Sequence, residues 1–576
     1  MFISFNYEPC RRPIEPCARM GPKSIYQRAA RTVSMPTHRA TGLTKPPNFL
    51  IFVTDQQRAD HLGCYGNQVV RTPHIDALAA TGSRFERSYV ANPVCMPNRG
   101  SMLTGRMPSI HGCRGNGVPL PLEAVTFADV LGEFGYHTAL IGKSHLQNME
   151  SLPPVLPPEA ARAALASSAQ FPEATRRDIA ASAYAQELRS SWNDPAHRLT
   201  LPYYGFQDVV LCNHHADECF GDYSRWLAAE HADVADRVGR QHGLRDPRFV
   251  APQAWRTRLS EHQYPTHFVA EQSCHWLEDH VNKKADQPFL MVCSFPDPHH
   301  PWTPPGKYWD MYDPDQISVP RTASASASHQ RHVQWLWDER QSGKANVEGP
   351  RIFATTEREI REITALTYGM ISNVDDRIGM VMAKLRACGA DANTVVVFTS
   401  DHGDLMGDHG LMLKGPAHYQ GLVRVPLIWR EPAGSENDLA ALRTDLASSM
   451  DLATSVLARA GIAAPNGMQG KALFDPTGLP SPSQREAVLI EENQHRAYMS
   501  FDTPVRVRTL VTESHRLSVF HESDWGELYD LDADPLEEHN LWDAPGAQQS
   551  RCSMLDLMVR TLIAHAEASP RPTRLA

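Results

Sequence analysis

Two largely apolar segments of strand length, each followed at once by a polar pair, place the strongest constraint on how this chain folds. The segments and their pairs are residues 48–54 with Asp55 and Gln56, and residues 394–400 with Asp401 and His402. Runs of β-branched and aromatic residues indicate strands buried on both faces, as in a parallel sheet. Because the carboxyl ends of such strands form a shared crevice, the two pairs can meet at one divalent cation. Either pair alone is more simply explained as helix caps or turn residues.

The rest of the chain alternates strand-length runs with helical patterns. This alternation indicates an α/β fold with one large, mostly parallel sheet sandwiched by helices. Further buried strands are predicted at 138–141, 288–295 and 425–429. The longest helix is predicted from about Thr356 to Ala387, because apolar residues recur on one face over that whole stretch.

After about residue 480 the pattern changes to short strands such as 487–490 and 505–512, which predicts a small antiparallel C-terminal subdomain. The expected organisation is an N-terminal extension over 1–44, an α/β catalytic domain over 45–480, and the C-terminal antiparallel subdomain with a tail over 481–576. The extension is expected to be a disordered tail or to precede a true start at Met35. Its Arg-rich, acid-poor composition is the alternative signal of an organellar transit peptide.

Charge and hydropathy exclude two classes of partner. The chain has 576 residues, with 56 Lys and Arg against 66 Asp and Glu, so its net charge of −10 gives no basic footprint for nucleic acid. No apolar run approaches the roughly 20 residues that cross a bilayer, so no membrane partner is expected. The 11 cysteines include no Cys-x-x-Cys pair, which indicates mostly reduced thiols. Because no secretory signal is evident, we expect a cytoplasmic protein.

One cysteine stands in an unusual context, because Cys95, Pro97 and Arg99 form a Cys-x-Pro-x-Arg motif. In a chain of this length and composition the motif is expected by chance only about 0.05 times. A lone cysteine is most often a small buried apolar residue. The segment after Cys95 is predicted to form a helix, whose N-terminal dipole favours an anion.

Together with other segments, this motif resembles the type I sulfatase family. Blocks of that family are matched in order by residues 54–60, 62–66, 93–97, 142–145, 298–301, 400–404, 414–415, 424–426 and 527–541. The resemblance covers about residues 46–545 and implies an alkaline-phosphatase-like fold and hydrolysis of a sulfate ester. In the family the motif cysteine is oxidised to Cα-formylglycine, which implies a formylglycine-generating maturation enzyme as a partner. The hydrated aldehyde has two hydroxyls, one to attack sulfur and one to expel the bound sulfate.

The resemblance also implies a metal site. One divalent cation is held by Asp55, Gln56, Asp401 and His402 together with the modified Cys95, where it polarises a sulfate oxygen and activates the nucleophile. Many sulfatases have a second carboxylate where this chain has Gln56, and an Asn where it has His402. Imidazole suits Ca²⁺ poorly and Mn²⁺ better, so both ions remain candidates.

Roles for the remaining site residues follow from the same resemblance. Arg99 and Lys143 hold the formylglycine and offset negative charge, while Lys414 binds the transferring sulfate. His145 is the base that opens the sulfated hemiacetal, and His299 is the acid that protonates the leaving alcohol. Asn116 corresponds to a position that contacts the bound ester in some relatives, although its turn composition equally fits a structural Asn.

Two alternative functions stay open. The Asp-Gln and Asp-His pairs also occur in phosphonate monoester hydrolases and phosphodiesterases, which use formylglycine too; the segment 142–145 favours the sulfatase branch. The other alternative is a catalytically silent binding relative, which would follow if Cys95 were never oxidised. The expected substrate is a small-molecule or sugar sulfate ester. Candidates for lining its pocket are Tyr203, Tyr204, His214, His215 and Asp217.

Overall fold

The computed structural model describes residues 45–151, 182–323, 330–435, 441–481, 485–495, 497–572 and 574. The N-terminal extension expected over 1–44 lies outside the described residues. The described residues belong to one compact unit. Within the described part, no helix combines the length and the apolar content needed to cross a membrane.

Within the residues that the structure describes, fifteen strands form three sheets. The strands are β1 (Asn48–Thr54), β2 (Ser83–Tyr89), β3 (His137–Gly142), β4 (Asp208–Asn213), β5 (Phe220–Gly221), β6 (Phe289–Ser294), β7 (Phe353–Ala354), β8 (Thr394–Ser400), β9 (Leu411–Met412), β10 (Leu427–Arg430), β11 (Ala441–Ser448), β12 (Val488–Asn493), β13 (Arg506–Val511), β14 (His515–Phe520) and β15 (Gly526–Asp530).

The central sheet has nine strands in the order β11-β2-β10-β8-β1-β6-β3-β4-β5. Its middle strands β8, β1, β6 and β3 are parallel, as the apolar runs predicted. Strand β10 is antiparallel to both of its neighbours, and β5 is antiparallel to β4. The predicted α/β fold with a mostly parallel sheet is therefore confirmed, and β10 is one of its antiparallel members.

Helices on both sides of this sheet cover it. They are α1 (Pro73–Ala80), α2 (Cys95–Thr104), α3 (Pro108–His111), α4 (Phe127–Glu133), α5 (Arg189–Trp192), α6 (Asp222–Glu230), α7 (Pro265–Lys284), α8 (Arg331–Gln341), α9 (Glu357–Ala387), α10 (Gln420–Val423), α11 (Asp451–Arg459) and α12 (Gln548–Ala564). Helix α12 packs on the sheet formed by β12 to β15. The predicted long helix is α9. It begins after Thr356, whose hydroxyl accepts from the Glu359 backbone N–H in a capping box.

Both faces of the central sheet are buried. Leu50 and Phe52 of β1 belong to an apolar cluster that includes residues of α7 and α9. Phe49 and Ile51, which point to the opposite face, belong to a cluster with residues of α4 and α11. Alternate residues of one strand thus enter different cores, which explains why β1 is apolar at almost every position.

Strands β12 to β15 form the antiparallel C-terminal sheet, as predicted. Many of its apolar residues pack with the preceding part of the chain, although Val507 and Phe520 belong to a small cluster within the C-terminal region. Leu489 and Leu510 share a cluster with Met107 and Met450 of the preceding part of the chain, and Met554 of α12 joins the same cluster. The boundary placed at residue 480 remains a prediction.

A buried charge network joins the C-terminal sheet to the main domain, and its loss is expected to destabilise the protein. Arg516 is fully buried and pairs with Glu527 at 2.9 Å and with Glu537, which also accepts from the Gln420 backbone N–H at 2.8 Å. Breaking a buried ion pair leaves unpaired charge, so Arg516→Ala should lower the free energy of unfolding by about 3–5 kcal/mol. Denaturant titration measures this. An Arg516→Ala variant as stable as the wild type would contradict the prediction. The matched control is Arg506→Ala, because Arg506 on β13 is exposed.

Candidate active site

The two predicted polar pairs meet at the carboxyl edge of the central sheet. Strands β1 and β8 pair in register up to Thr54 and Ser400, so Asp55 and Asp401 emerge side by side. The backbone turns at Gln56, where φ is 63°, and the Gln56 N–H donates to Asp401 Oδ1 at 3.1 Å. Asp55, Gln56, Asp401 and His402 are all buried.

Cys95 lies against these pairs, at the first position of α2. Its Sγ is 3.1 Å from His402 Nε2 and 3.9 Å from Asp55 Oδ1. Asn98 in the first turn of α2 donates to the Asp401 carbonyl and accepts from the Ala91 N–H, which fixes the helix against the sheet edge. One ligand atom each from Cys95, Asp55, Asp401 and His402 lies within 4.8 Å of the others, which is compact enough for one metal ion.

Two buried cations pair with the carboxylates. Arg99 Nε donates to Asp401 Oδ2 at 2.8 Å, and Arg99 Nη2 lies 3.4 Å from Asp55 Oδ2. Lys143 Nζ also pairs with Asp55, and the Arg99 guanidinium donates to the Lys143 carbonyl at 3.0 Å. Lys143 reaches this position because β3 ends at Gly142, where φ is 110° and a Cβ would lie 1.9 Å from the Ser294 carbonyl oxygen. Only glycine fits there.

A third cation, Lys414, reaches into the ligand cluster. Its Nζ is 3.1 Å from Cys95 Sγ, 3.0 Å from His402 Nε2 and 3.2 Å from Gln56 Oε1. Gln56 turns this oxygen toward the cluster because its Nε2 donates to Asp404 Oδ2 at 2.6 Å. The cluster offers two carboxylates, an amide oxygen and an imidazole as ligands. This set of donors attracts positive charge and suits a divalent cation.

The charges of the cluster shift the pKa values of its members. Burial alone would raise the pKa of the Asp55 carboxyl, but Lys143 and Arg99 outweigh burial and hold that pKa well below its usual range. Burial and Asp55 would likewise raise the pKa of the Cys95 thiol, whereas Lys414 and His402 bring the net pKa below its ordinary value. The site thus favours an anion at position 95, as a nucleophile requires.

Of the two histidines with predicted acid–base roles, His299 contacts the cluster directly, and His145 is buried near its charged groups. His299 Nε2 is 2.9 Å from Lys414 Nζ, and burial together with His300 and Lys414 depresses the pKa of His299 well below its usual value. His145 has φ of 53°, and its buried Nδ1 makes no hydrogen bond within the described residues. Burial and Lys143 depress the pKa of His145 strongly. A neutral His145 suits the role of base, whereas His299 must first gain a proton to act as acid, and Lys414 is the adjacent proton-bearing group.

The other sequence candidates take different places. Asn116 is exposed, and its Oδ1 accepts from the Met96 N–H at 3.2 Å, beside Cys95. Tyr203 and Tyr204 are both buried in an apolar cluster that includes Met96 of α2. Asp217 is buried as well and accepts from Thr257 Oγ1 at 2.7 Å. His214 and His215 are half-buried, and His215 alone of these five contacts the charged cluster.

Sequence reasoning missed two supporting carboxyl groups. Asp404 orients Gln56, as described above, and burial raises the pKa of Asp404 to about 6. Glu187 is fully buried and accepts from the Leu146 N–H at 3.2 Å and from Asn213 Nδ2 at 2.7 Å. It therefore anchors the loop that carries Lys143 and His145. Asp404 stood inside a family block and could have been found there, whereas Glu187 belongs to no motif.

Comparisons with known proteins find relatives over most of the chain. A family model described as Sulfatase matches residues 47–462, and a model described as N-sulphoglucosamine sulphohydrolase, C-terminal, matches residues 407–563. An uncharacterized sulfatase of Escherichia coli, YidJ, is 28% identical over 523 residues, covering 89% of this chain and 87% of the relative. An arylsulfatase of Clostridium perfringens is 27% identical over 500 residues, covering 86% of this chain and 90% of the relative.

Solved structures share the fold. The phosphonate monoester hydrolase of Agrobacterium radiobacter superposes with a TM-score of 0.70 at 22% identity, covering 92% of this chain and 98% of that one. A protein solved in complex with its substrate D-glucosamine-2-N,6-O-disulfate superposes with a TM-score of 0.65 at 18% identity, covering 92% of this chain and 100% of that one. The same scaffold is therefore found in proteins that act on sulfate and on phosphonate esters.

Proposed function

The chain belongs to the sulfatase family and is a sulfuric ester hydrolase, and from this premise we propose that it cleaves an organic sulfate monoester with a formylglycine made from Cys95 and one divalent cation. The observation that carries the proposal is the position of Cys95. Its Sγ lies at a helix N-terminus, within 3.1 Å of both His402 Nε2 and Lys414 Nζ and 3.9 Å from Asp55. Charged and imidazole groups this close to a buried cysteine are not explained by apolar packing. They are typical of a position that carries a nucleophile.

Asp55, Gln56, Asp401 and His402 would hold the cation. A bound divalent ion supplies Lewis acidity toward a sulfate oxygen and lowers the pKa of a hydroxyl ligand. The formylglycine hydrate supplies one hydroxyl as nucleophile and a second that allows the sulfate to be released. The metal remains Ca²⁺ or Mn²⁺, and the metal content of the purified protein distinguishes the two.

The chain's own side chains would bind and orient the ester. Lys414 projects its ammonium toward position 95, so it can bind a sulfate oxygen there. Arg99 and Lys143 pair with the carboxylates and face the same site, where they would offset negative charge on the sulfate. His145 would take the proton that releases the product, and His299 would protonate the leaving alcohol.

Peptide mass spectrometry tests the modification directly. Protein produced together with a formylglycine-generating enzyme should contain a peptide around Cys95 whose mass is about 18 Da below that of the unmodified form, because a sulfur and two hydrogens leave and one carbonyl oxygen arrives. The fraction of modified chains should rise in step with sulfatase activity. Full activity in protein that keeps an unmodified thiol at Cys95 would refute the proposed nucleophile.

Phosphonate monoester hydrolysis is the second candidate, because Gln56 and His402 form the donor set that the sequence shares with that branch. We expect the sulfatase reaction to dominate, since the segment 142–145 favours that branch and its Lys143 is fully buried in the site and pairs with Asp55. Rates on 4-nitrophenyl sulfate and on a 4-nitrophenyl phosphonate monoester should be compared in one preparation. A kcat/KM at least about tenfold higher for the sulfate than for the phosphonate supports sulfatase as the main activity. The reverse ratio would establish phosphonate monoester hydrolysis as the main activity.

A further inference from the structure

His215 lies in a strained turn beside the active site. It follows the end of β4, and the residues on either side of it, His214 with φ of 81° and Ala216 with φ of 52°, adopt the left-handed conformation. Left-handed backbone at two non-glycine residues is uncommon and persists only where the surroundings impose it. Here the antiparallel pairing of β4 with β5 and the buried carboxyl of Asp217 hold the turn.

The turn presents the His215 ring to two site residues at once. The His215 and His299 rings stack face to face, with centroids 3.6 Å apart and planes inclined by 11°. His215 Nε2 is also 2.7 Å from Lys143 Nζ. An ammonium group can only donate, so Nε2 accepts, and the single ring proton of His215 is assigned to Nδ1.

The stacked ring limits how the His299 side chain can lie. His299 has two hydrogen-bonding contacts, from Nδ1 to the His300 carbonyl and from Nε2 to Lys414, and both leave the ring free to tilt about the line that joins them. The flat face of His215 blocks one side of that tilt. His300 lies on His299 as well, at a centroid distance of 4.0 Å and an inclination of 29°. His299 thus contacts two imidazoles, of which His215 is the one stacked nearly parallel on its face.

We propose that His215 is a positioning residue for the leaving-group step, because its stacked ring holds His299 where Nε2 can meet the departing oxygen. This inference rests on the proposed role of His299 as the acid. A misplacement of a catalytic group by about 1 Å can cost about 100-fold in rate. The loss of rate should be large for an ester whose leaving alcohol needs a proton. It should be nearly absent for an ester whose alcohol leaves readily without one.

Two variants separate the stacking from the hydrogen bond. His215→Phe keeps a flat ring and loses Nε2, whereas His215→Ala loses both. Each is assayed as the mature, metal-loaded enzyme on 4-nitrophenyl sulfate, which has a good leaving group, and on phenyl sulfate, which has a poor one. We expect His215→Ala to lower kcat on phenyl sulfate by about 10- to 100-fold and on 4-nitrophenyl sulfate by less than about threefold. His215→Phe should recover most of the loss.

Two comparison variants calibrate the result. His299→Ala should show the same dependence on the leaving group with a larger loss. His280→Ala removes another stacked imidazole, which lies on His137 with centroids 5.1 Å apart, and should leave both rates unchanged. Thermal unfolding and metal content confirm that each variant is folded and loaded.

Equal losses on the two substrates in His215→Ala would overturn the inference, as would a His215→Phe variant that is impaired as strongly as His215→Ala. Those outcomes leave the proposed function standing, because the wild-type enzyme still hydrolyses both esters. A wild-type enzyme that carries formylglycine and hydrolyses neither ester would instead overturn the proposed function together with this role of His215.

Discussion

Cys95→Ala is expected to abolish sulfate ester hydrolysis, with a loss of about 10⁴-fold or more, while the protein remains folded. Alanine cannot be oxidised to formylglycine, so the variant has no nucleophile, and removal of a nucleophile costs more than removal of any supporting group. The fold should survive because Cys95 makes its contacts with charged groups rather than with an apolar core. Turnover of an aryl sulfate and thermal unfolding measure the two effects.

The matched control is Cys293→Ala. Cys293 is also fully buried, but it lies within β6 and contacts Ser273, away from the metal-binding cluster. Its replacement should lower stability modestly and leave kcat unchanged. If Cys95→Ala retained more than a few per cent of wild-type turnover in protein free of wild-type contamination, another residue would have to be the nucleophile.

Asp401→Asn is expected to lower metal occupancy and kcat/KM together, each by about 100-fold or more at low free metal. The variant loses one oxygen of a buried carboxylate that accepts from the Gln56 N–H through Oδ1 and from Arg99 Nε through Oδ2. An amide has one acceptor oxygen where the carboxylate has two, and it carries no negative charge to attract the cation. Metal analysis of the purified variant and kinetics across a metal titration measure the effect.

Excess metal should partly restore the rate of Asp401→Asn, because mass action refills a weakened site. Asp391→Asn is the control, since Asp391 precedes the other end of β8 and pairs with Arg430. That variant should keep its metal and its rate. Unchanged metal content in Asp401→Asn would require a different set of ligands.

Much of the scaffold could be predicted because it depends on local patterns. The bounds of β1 and β8 coincide with the predicted runs, and α9 matches the predicted helix to within one residue at its start. The two strands are buried at every position, so each residue in them carries the signal, whereas α9 carries it in the apolar repeat along one face. Strand β10 was predicted by the same reasoning, but its antiparallel direction was not, because strand direction depends on the connections and not on the strand itself.

By itself, the sequence determined which residues are available to the site: the polar pairs after β1 and β8, and Cys95 with Arg99 in one motif. Tertiary structure alone decided how they meet. It placed Lys414 among the ligands, buried Tyr203 and Tyr204 in an apolar cluster with Met96 of α2, and laid the His215 ring on His299. The reason is physical. Burial and periodicity leave a trace along the chain, whereas a contact between side chains on different loops depends on backbone geometry that no local pattern records.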